Sequence, residues 1–167
     1  MHLSTPKVSP DLDVEAMRGY IKNLCRQWPQ RLTIGLVGTL GAGKTTTVQA
    51  IAEALGIDHT DVTSPTFTLL QTYDIDPESA IAAADFEGFS PPPVMNHLDA
   101  YRLADEDEFV ELGVDELFAA PGWTLVEWAD RVEGALPKEM LWMGFTITPD
   151  DRRKITLAAC LSELSTD

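Results

Sequence analysis

The chain has 167 residues, 44% apolar and 23% charged, with a formal net charge of −15 at pH 7. That length carries one domain and its core, so the whole of 1–167 is read as a single unit. The acid surplus opposes unaided nucleic-acid binding, which draws its affinity from Lys and Arg on phosphates, and is compatible with a basic protein partner.

Cys25 and Cys160 are too few for a disulfide framework and are not spaced as metal ligands, the pattern of reduced cytosolic thiols. No stretch nears the ~20 apolar residues of a membrane span. No basic segment followed by an apolar run opens the chain. The expected location is cytoplasmic, with no membrane contact.

In chain order, residues 1–12, with Pro6 and Pro10, read as a loose lead-in. A first helix is expected from Asp11 or Asp13, either of which suits an N-cap. Val14, Met17, Ile21, Leu24 and Trp28 then fall at spacings of three and four and form one apolar face for packing on a sheet, and Pro29 stops the helix.

Leu32 to Val37 reads as a buried strand, and Thr46 to Leu55 as a helix that Gly56 ends. Between them, Gly38-Thr39-Leu40-Gly41-Ala42-Gly43-Lys44-Thr45 fits the phosphate-cradling pattern G-x-x-x-x-G-K-[ST], with both flanks that the pattern requires. Glycines let the backbone close tightly on a triphosphate, and the inward N–H groups add to the positive end of the helix dipole. Lys44 is expected on the β- and γ-phosphates, and the Thr45 hydroxyl on Mg²⁺, a hard cation that prefers oxygen. ATP or ADP with Mg²⁺ is therefore the expected ligand. The loop is also the reason to expect an α/β, P-loop NTPase-like three-layer fold with a mainly parallel central sheet.

His59, Asp58 and Asp61 lie in a connector and read as loop polars rather than a metal site. Thr68 to Tyr73 reads as a strand, rich in Thr and aromatics. Just before it, Ser64-Pro65-Thr66 carries two readings of equal weight. One is turn chemistry, the other a switch segment whose Ser64 or Thr66 senses Mg²⁺ or the γ-phosphate. Asp76 to Pro93 is acidic and alanine-rich and ends in three prolines. It reads as a surface insertion with a short helix near Ser79–Ala84, where Phe86 and Phe89 either pin the segment or contact a partner, pinning being the favoured reading.

Val94 to Asp99 and Thr124 to Trp128 both read as strands with an acid at the carboxyl end, which is where doubly wound sheets bind ligands. Asp99 suits Mg²⁺, or a cap on the next turn. Glu127 suits positioning or deprotonating a water, or reaching Mg²⁺ through water. His97 reads as a sheet residue. Between these strands, Glu106–Leu112 reads as a helix ended by Gly113, and Val114–Phe118 as a further turn. Leu141–Thr148 and Ile155–Ala159, joined by Pro149–Arg153, read as an antiparallel hairpin, with Arg152 and Arg153 either a charged tip, the favoured reading, or in reach of a nucleotide.

Five blocks stand in the order of the TsaE (YjeE) family: Leu40 to Thr46, Ser64-Pro65-Thr66-Phe67-Thr68-Leu69, His97-Leu98-Asp99-Ala100-Tyr101-Arg102-Leu103, Glu111-Leu112-Gly113 and Val126-Glu127-Trp128. With the hairpin, the resemblance spans Arg31 to Ala159. It implies a small ATPase needed for making threonylcarbamoyladenosine next to the tRNA anticodon. Such a protein acts with TsaB and TsaD, meets tRNA only through them, and leaves the threonylcarbamoyl transfer to others. By position it implies phosphate binding by Lys44, metal-site roles for Thr45, Glu127 and Asp99, and a switch-like segment at Ser64–Phe67. Leu40, Gly41, Ala42, Gly43, Thr46 and Trp128 complete the nucleotide site. Two departures stand out: Thr39 replaces a common Asp, and Asp76–Pro93 is longer than usual. Other readings are a small-molecule kinase, though no arginine-bearing lid is visible, and a nucleotide-sensing scaffold with little hydrolysis. A GTP switch lacks its N-K-x-D motif here.

Overall fold

The computed structural model describes residues 5–86 and 88–164. Seven strands form one sheet: β1 (Lys7–Val8), β2 (Arg31–Gly38), β3 (Leu70–Asp74), β4 (Val94–Asp99), β5 (Gly122–Glu127), β6 (Leu141–Ile147) and β7 (Arg153–Ala158). Their order across the sheet is β1-β7-β6-β2-β5-β4-β3. The central strands β6, β2, β5 and β4 run parallel, and antiparallel strands close both edges. The expected α/β fold with a C-terminal hairpin is the observed one. The hairpin register pairs Trp142 with Ala158 and Ile147 with Arg153.

Alternation along the strands sorts the core into two halves. Leu32, Ile34 and Leu36 of β2, with Trp123 and Leu125 of β5, bury the face covered by α1 (Val14–Cys25) and α2 (Lys44–Ala54). Helix α3 (Pro77–Ala84) joins the same side through Ala80 and Ala84. Val126 of β5, Leu98 of β4 and Trp142 of β6 pack the opposite face. The helices α4 (Glu106–Glu111) and α5 (Val114–Ala119) cover it through Phe109 and Val114, together with the 3₁₀ stretch Ala129–Ala135. The result is three layers, as expected for a βαβ pattern.

Asp13, not Asp11, caps α1: its side chain accepts from the Ala16 amide at 2.8 Å. Met17, Ile21 and Cys25 form the buried stripe, whereas Val14 is half exposed because it sits on the solvent side of the first turn. Burial pushes the Cys25 thiol well above its ordinary range. Ile21→Ala is expected to lower stability by about 2–5 kcal/mol through a buried cavity. Urea unfolding would show a lower midpoint at unchanged slope; a midpoint equal to wild type would contradict the packing.

The lead-in differs from the expected loose segment. Residues 1–4 lie outside the described residues. Lys7 and Val8 pair with Leu157 and Thr156, and Leu12 exchanges backbone hydrogen bonds with Arg153. The open edge of β7 supplies unpaired N–H and C=O groups, and this segment covers them. The Asp76–Pro93 insertion is folded down as well. Asp76 caps α3 through the Ser79 amide, Phe89 is buried, and the Arg26 guanidinium donates to the Ala84 carbonyl at 2.9 Å. Phe86 stays half exposed beneath Arg26.

Candidate functional site

The cleft lies where the carboxyl ends of β2, β4 and β5 meet the start of α2. Its volume is about 350 Å³, and Leu40, Lys44, Thr45, Ser64, Asp99 and Glu127 are among its walls. Gly41 and Gly43 have φ of +76° and +110°, a region costly for any residue with a Cβ. These two conformations turn the loop from β2 into α2. At the turn, the amides of Gly43, Lys44 and Thr45 find no acceptor among the described residues. Unpaired donors at a helix N-terminus are what an anion needs.

Lys44 is folded over its own loop. Its Nζ donates to the carbonyls of Gly38 at 2.7 Å and Thr39 at 2.9 Å, and lies 3.7 Å from the centre of the Trp128 ring. Burial pushes its pKa down, while Glu127, Asp130 and Asp99 pull it back up. Thr39 meets Lys44 through its backbone, so the side-chain departure at this position leaves that bond intact. Trp128 has φ of +57°, a left-handed conformation unusual for a bulky residue. This bend lays its ring against Lys44 and Tyr101, whose ring centre is 4.9 Å away.

Both acids reach the α2 side of the sheet. In β4, Met95 packs into the α1/α2 core, so alternation brings His97 and Asp99 to the same face. In β5, Trp123 and Leu125 do the same for Glu127. Asp99 and Glu127 are partners across adjacent strands. Each is only 3% exposed. Thr45 Oγ1 donates to the Glu127 carboxylate, 2.9 and 3.0 Å from its two oxygens. His97 Nε2 lies 2.9 Å from Glu127 Oε1.

Asp99 gathers the other wall. Its Oδ2 accepts from Ser64 at 2.7 Å and Thr66 at 2.8 Å, and its Oδ1 accepts from the Tyr101 amide at 2.9 Å. Asp99 thus caps the following turn and holds the Ser64–Thr66 segment at once. Thr66 lies one residue from Phe67, which is 83% exposed under the Arg102 guanidinium. Asp99→Ala removes acceptors from both hydroxyls, at about 1.5–3 kcal/mol per bond to a charged group. Amide exchange at Leu69, which donates to the Pro65 carbonyl, is expected to accelerate at least about tenfold. Unchanged protection would contradict this anchoring.

Of the residues named from the sequence, Leu40, Gly41, Gly43, Lys44, Thr45, Thr46, Ser64, Thr66, Asp99, Glu127 and Trp128 line the cleft. Ala42 does not: its methyl group is buried in the α1/α2 core, and its amide donates to the Thr39 carbonyl. The arginines of the hairpin separate. Arg152 stays at the tip beside Asp150, whereas Arg153 lies over the phosphate loop, with Nη2 3.4 Å from the Gly41 carbonyl. His97 and Tyr101 were not read as site residues. Strand parity was the available signal for His97, since 97 and 99 share a face.

The donor set fits magnesium that arrives with a nucleotide. One hydroxyl and two carboxylates are oxygen ligands, and Mg²⁺ is usually held by one or two carboxylates plus phosphates and water. Among the described residues no cluster of three or more His, Cys, Asp or Glu could hold a metal by itself. Among them, too, no helix is long and apolar enough to cross a membrane.

The family described as "Threonylcarbamoyl adenosine biosynthesis protein TsaE" matches residues 12–155. A protein of that name from Bacillus subtilis (strain 168) is 42% identical over 124 residues, 74% of this chain and 67% of its own length. Its namesake from Treponema pallidum (strain Nichols) is 34% identical over 123 residues, 74% of this chain and 78% of its own. The crystal structure of Bacillus subtilis YdiB superposes with a TM-score of 0.68 at 29% identity, covering 98% of this chain and 92% of that one.

Proposed function

Given that the chain belongs to the TsaE family, we propose that it is a Mg²⁺-dependent ATPase serving threonylcarbamoyladenosine modification of tRNA, working with TsaB and TsaD. One observation carries the catalytic half: Lys44, Thr45, Asp99 and Glu127 line one cleft beside unpaired helix-start amides. Related proteins named for tRNA threonylcarbamoyladenosine biosynthesis support the biological half.

The chain's residues divide the work. The loop amides and Lys44 Nζ bind the phosphates, which take over the ammonium from the Gly38 and Thr39 carbonyls. Thr45 Oγ1, with Asp99 and Glu127, would hold the metal directly or through its waters. Magnesium, when bound there, neutralises charge that develops on the transferring phosphoryl group. Glu127 also orients the attacking water and accepts its proton as the oxygen bonds to the γ-phosphorus and the bond to the β-phosphate oxygen breaks. Ser64 and Thr66, held by Asp99, place the neighbouring segment at the γ-phosphate end, where it reports nucleotide state. Trp128 and Tyr101 wall off solvent beside Lys44.

The net charge of −15 suits a protein that leaves the tRNA to its partners. Hydrolysis is expected to be slow for the isolated chain and at least about tenfold faster with TsaB and TsaD, because a partner can complete such a site in trans. Phosphate release measured with each protein alone and with all three tests this. Full activity in isolation, with transfer to a small acceptor, would contradict it and favour a kinase.

A further inference from the structure

We propose that His97 is a positioning residue for Glu127, fixing the carboxylate for the metal–water site; this rests on the function proposed above. His97 is 0% exposed, within β4 between β5 and β3. Its Nε2 lies 2.9 Å from Glu127 Oε1, and its Nδ1 has no hydrogen-bond partner among the described residues. A carboxylate oxygen only accepts, so the proton of this bond sits on Nε2.

The orphaned nitrogen separates this role from packing. Buried polar atoms are nearly always paired. A histidine kept only to fill the sheet would be replaced at lower cost by an apolar side chain of similar size. Here one ring nitrogen is left without a partner while the other bonds to Glu127. Thr45 shares its one hydroxyl proton between the two oxygens, at 2.9 and 3.0 Å, and His97 adds a donor on Oε1 alone. The carboxylate is pinned by one oxygen and keeps lone pairs on the other. This is how a partner behind a ligating or water-binding carboxylate sets its orientation.

The test compares His97→Gln with His97→Asn. The glutamine amide nitrogen reaches the place of Nε2; the asparagine amide is one bond shorter and does not. The readouts are the Mg²⁺ concentration needed to tighten binding of a fluorescent non-hydrolysable ATP analogue, the analogue's affinity without metal, the melting temperature, and turnover. His97→Asn is expected to need about 10–100-fold more Mg²⁺ and to lose a similar factor in kcat, with metal-free affinity unchanged. His97→Gln is expected to recover most of both. Wild-type Mg²⁺ dependence in His97→Asn would overturn the proposal. So would equal losses in both variants that follow the melting temperature, since a packing role predicts that. A wild-type chain whose nucleotide binding ignores Mg²⁺ would overturn the functional reading as well, which separates the two failures.

Discussion

Lys44→Ala is expected to weaken ATP binding by roughly 10²–10⁴-fold, since two charge-assisted contacts of about 1.5–3 kcal/mol each are lost. The fold should survive. The ammonium's present partners are the Gly38 and Thr39 carbonyls and the Trp128 ring, all in an open cleft where water can replace it. Calorimetric titration with ATP and Mg²⁺ checks the affinity, and thermal unfolding checks the fold. An unchanged dissociation constant would contradict the placement of the phosphates. A collapse of stability would instead show that Lys44 holds the loop together.

Glu127→Gln is expected to bind ATP and lose turnover by about 10²–10⁴-fold, the range for removing a general base. Glutamine is the informative substitution. Its carbonyl, in the place of Oε1, can still accept from both His97 Nε2 and Thr45 Oγ1, so neither is left without an acceptor, but the amide cannot take a proton from water. Alanine would strand both donors and confuse catalysis with stability. Single-turnover hydrolysis at saturating ATP separates binding from chemistry. A wild-type rate in this variant would contradict the role of Glu127.

How much of this was legible in the sequence follows the range of the signal. The phosphate loop is local: glycines, Lys44 and Thr45 are contiguous, and the strand before and helix after are set by hydrophobic periodicity. The strands ending at Asp99 and Glu127 were readable too, because each sets apolar residues just before an acid at its carboxyl end. The lead-in was not, because β1 is two residues long and is held by the backbone edge of β7, about 150 positions away in sequence. Periodicity cannot see such a partner. The partner of Ser64-Pro65-Thr66 was not legible, because both hydroxyls meet a carboxylate more than thirty residues later. Arg153 could not be separated from Arg152, since which of two adjacent arginines points to the loop is decided by the register of the hairpin. Ala42 fits the motif as a letter, yet its methyl group belongs to the core.

Under the proposed function, a nucleotide bound by Lys44 brings a metal to Thr45, Asp99 and Glu127. A crystal soaked with Mn²⁺ and a non-hydrolysable ATP analogue tests it directly by anomalous scattering. One peak is expected within direct or water-bridged reach of the Thr45 hydroxyl and both carboxylates, with the γ-phosphate against Lys44 Nζ. A peak elsewhere, or an analogue lying outside the loop that joins β2 to α2, would contradict it.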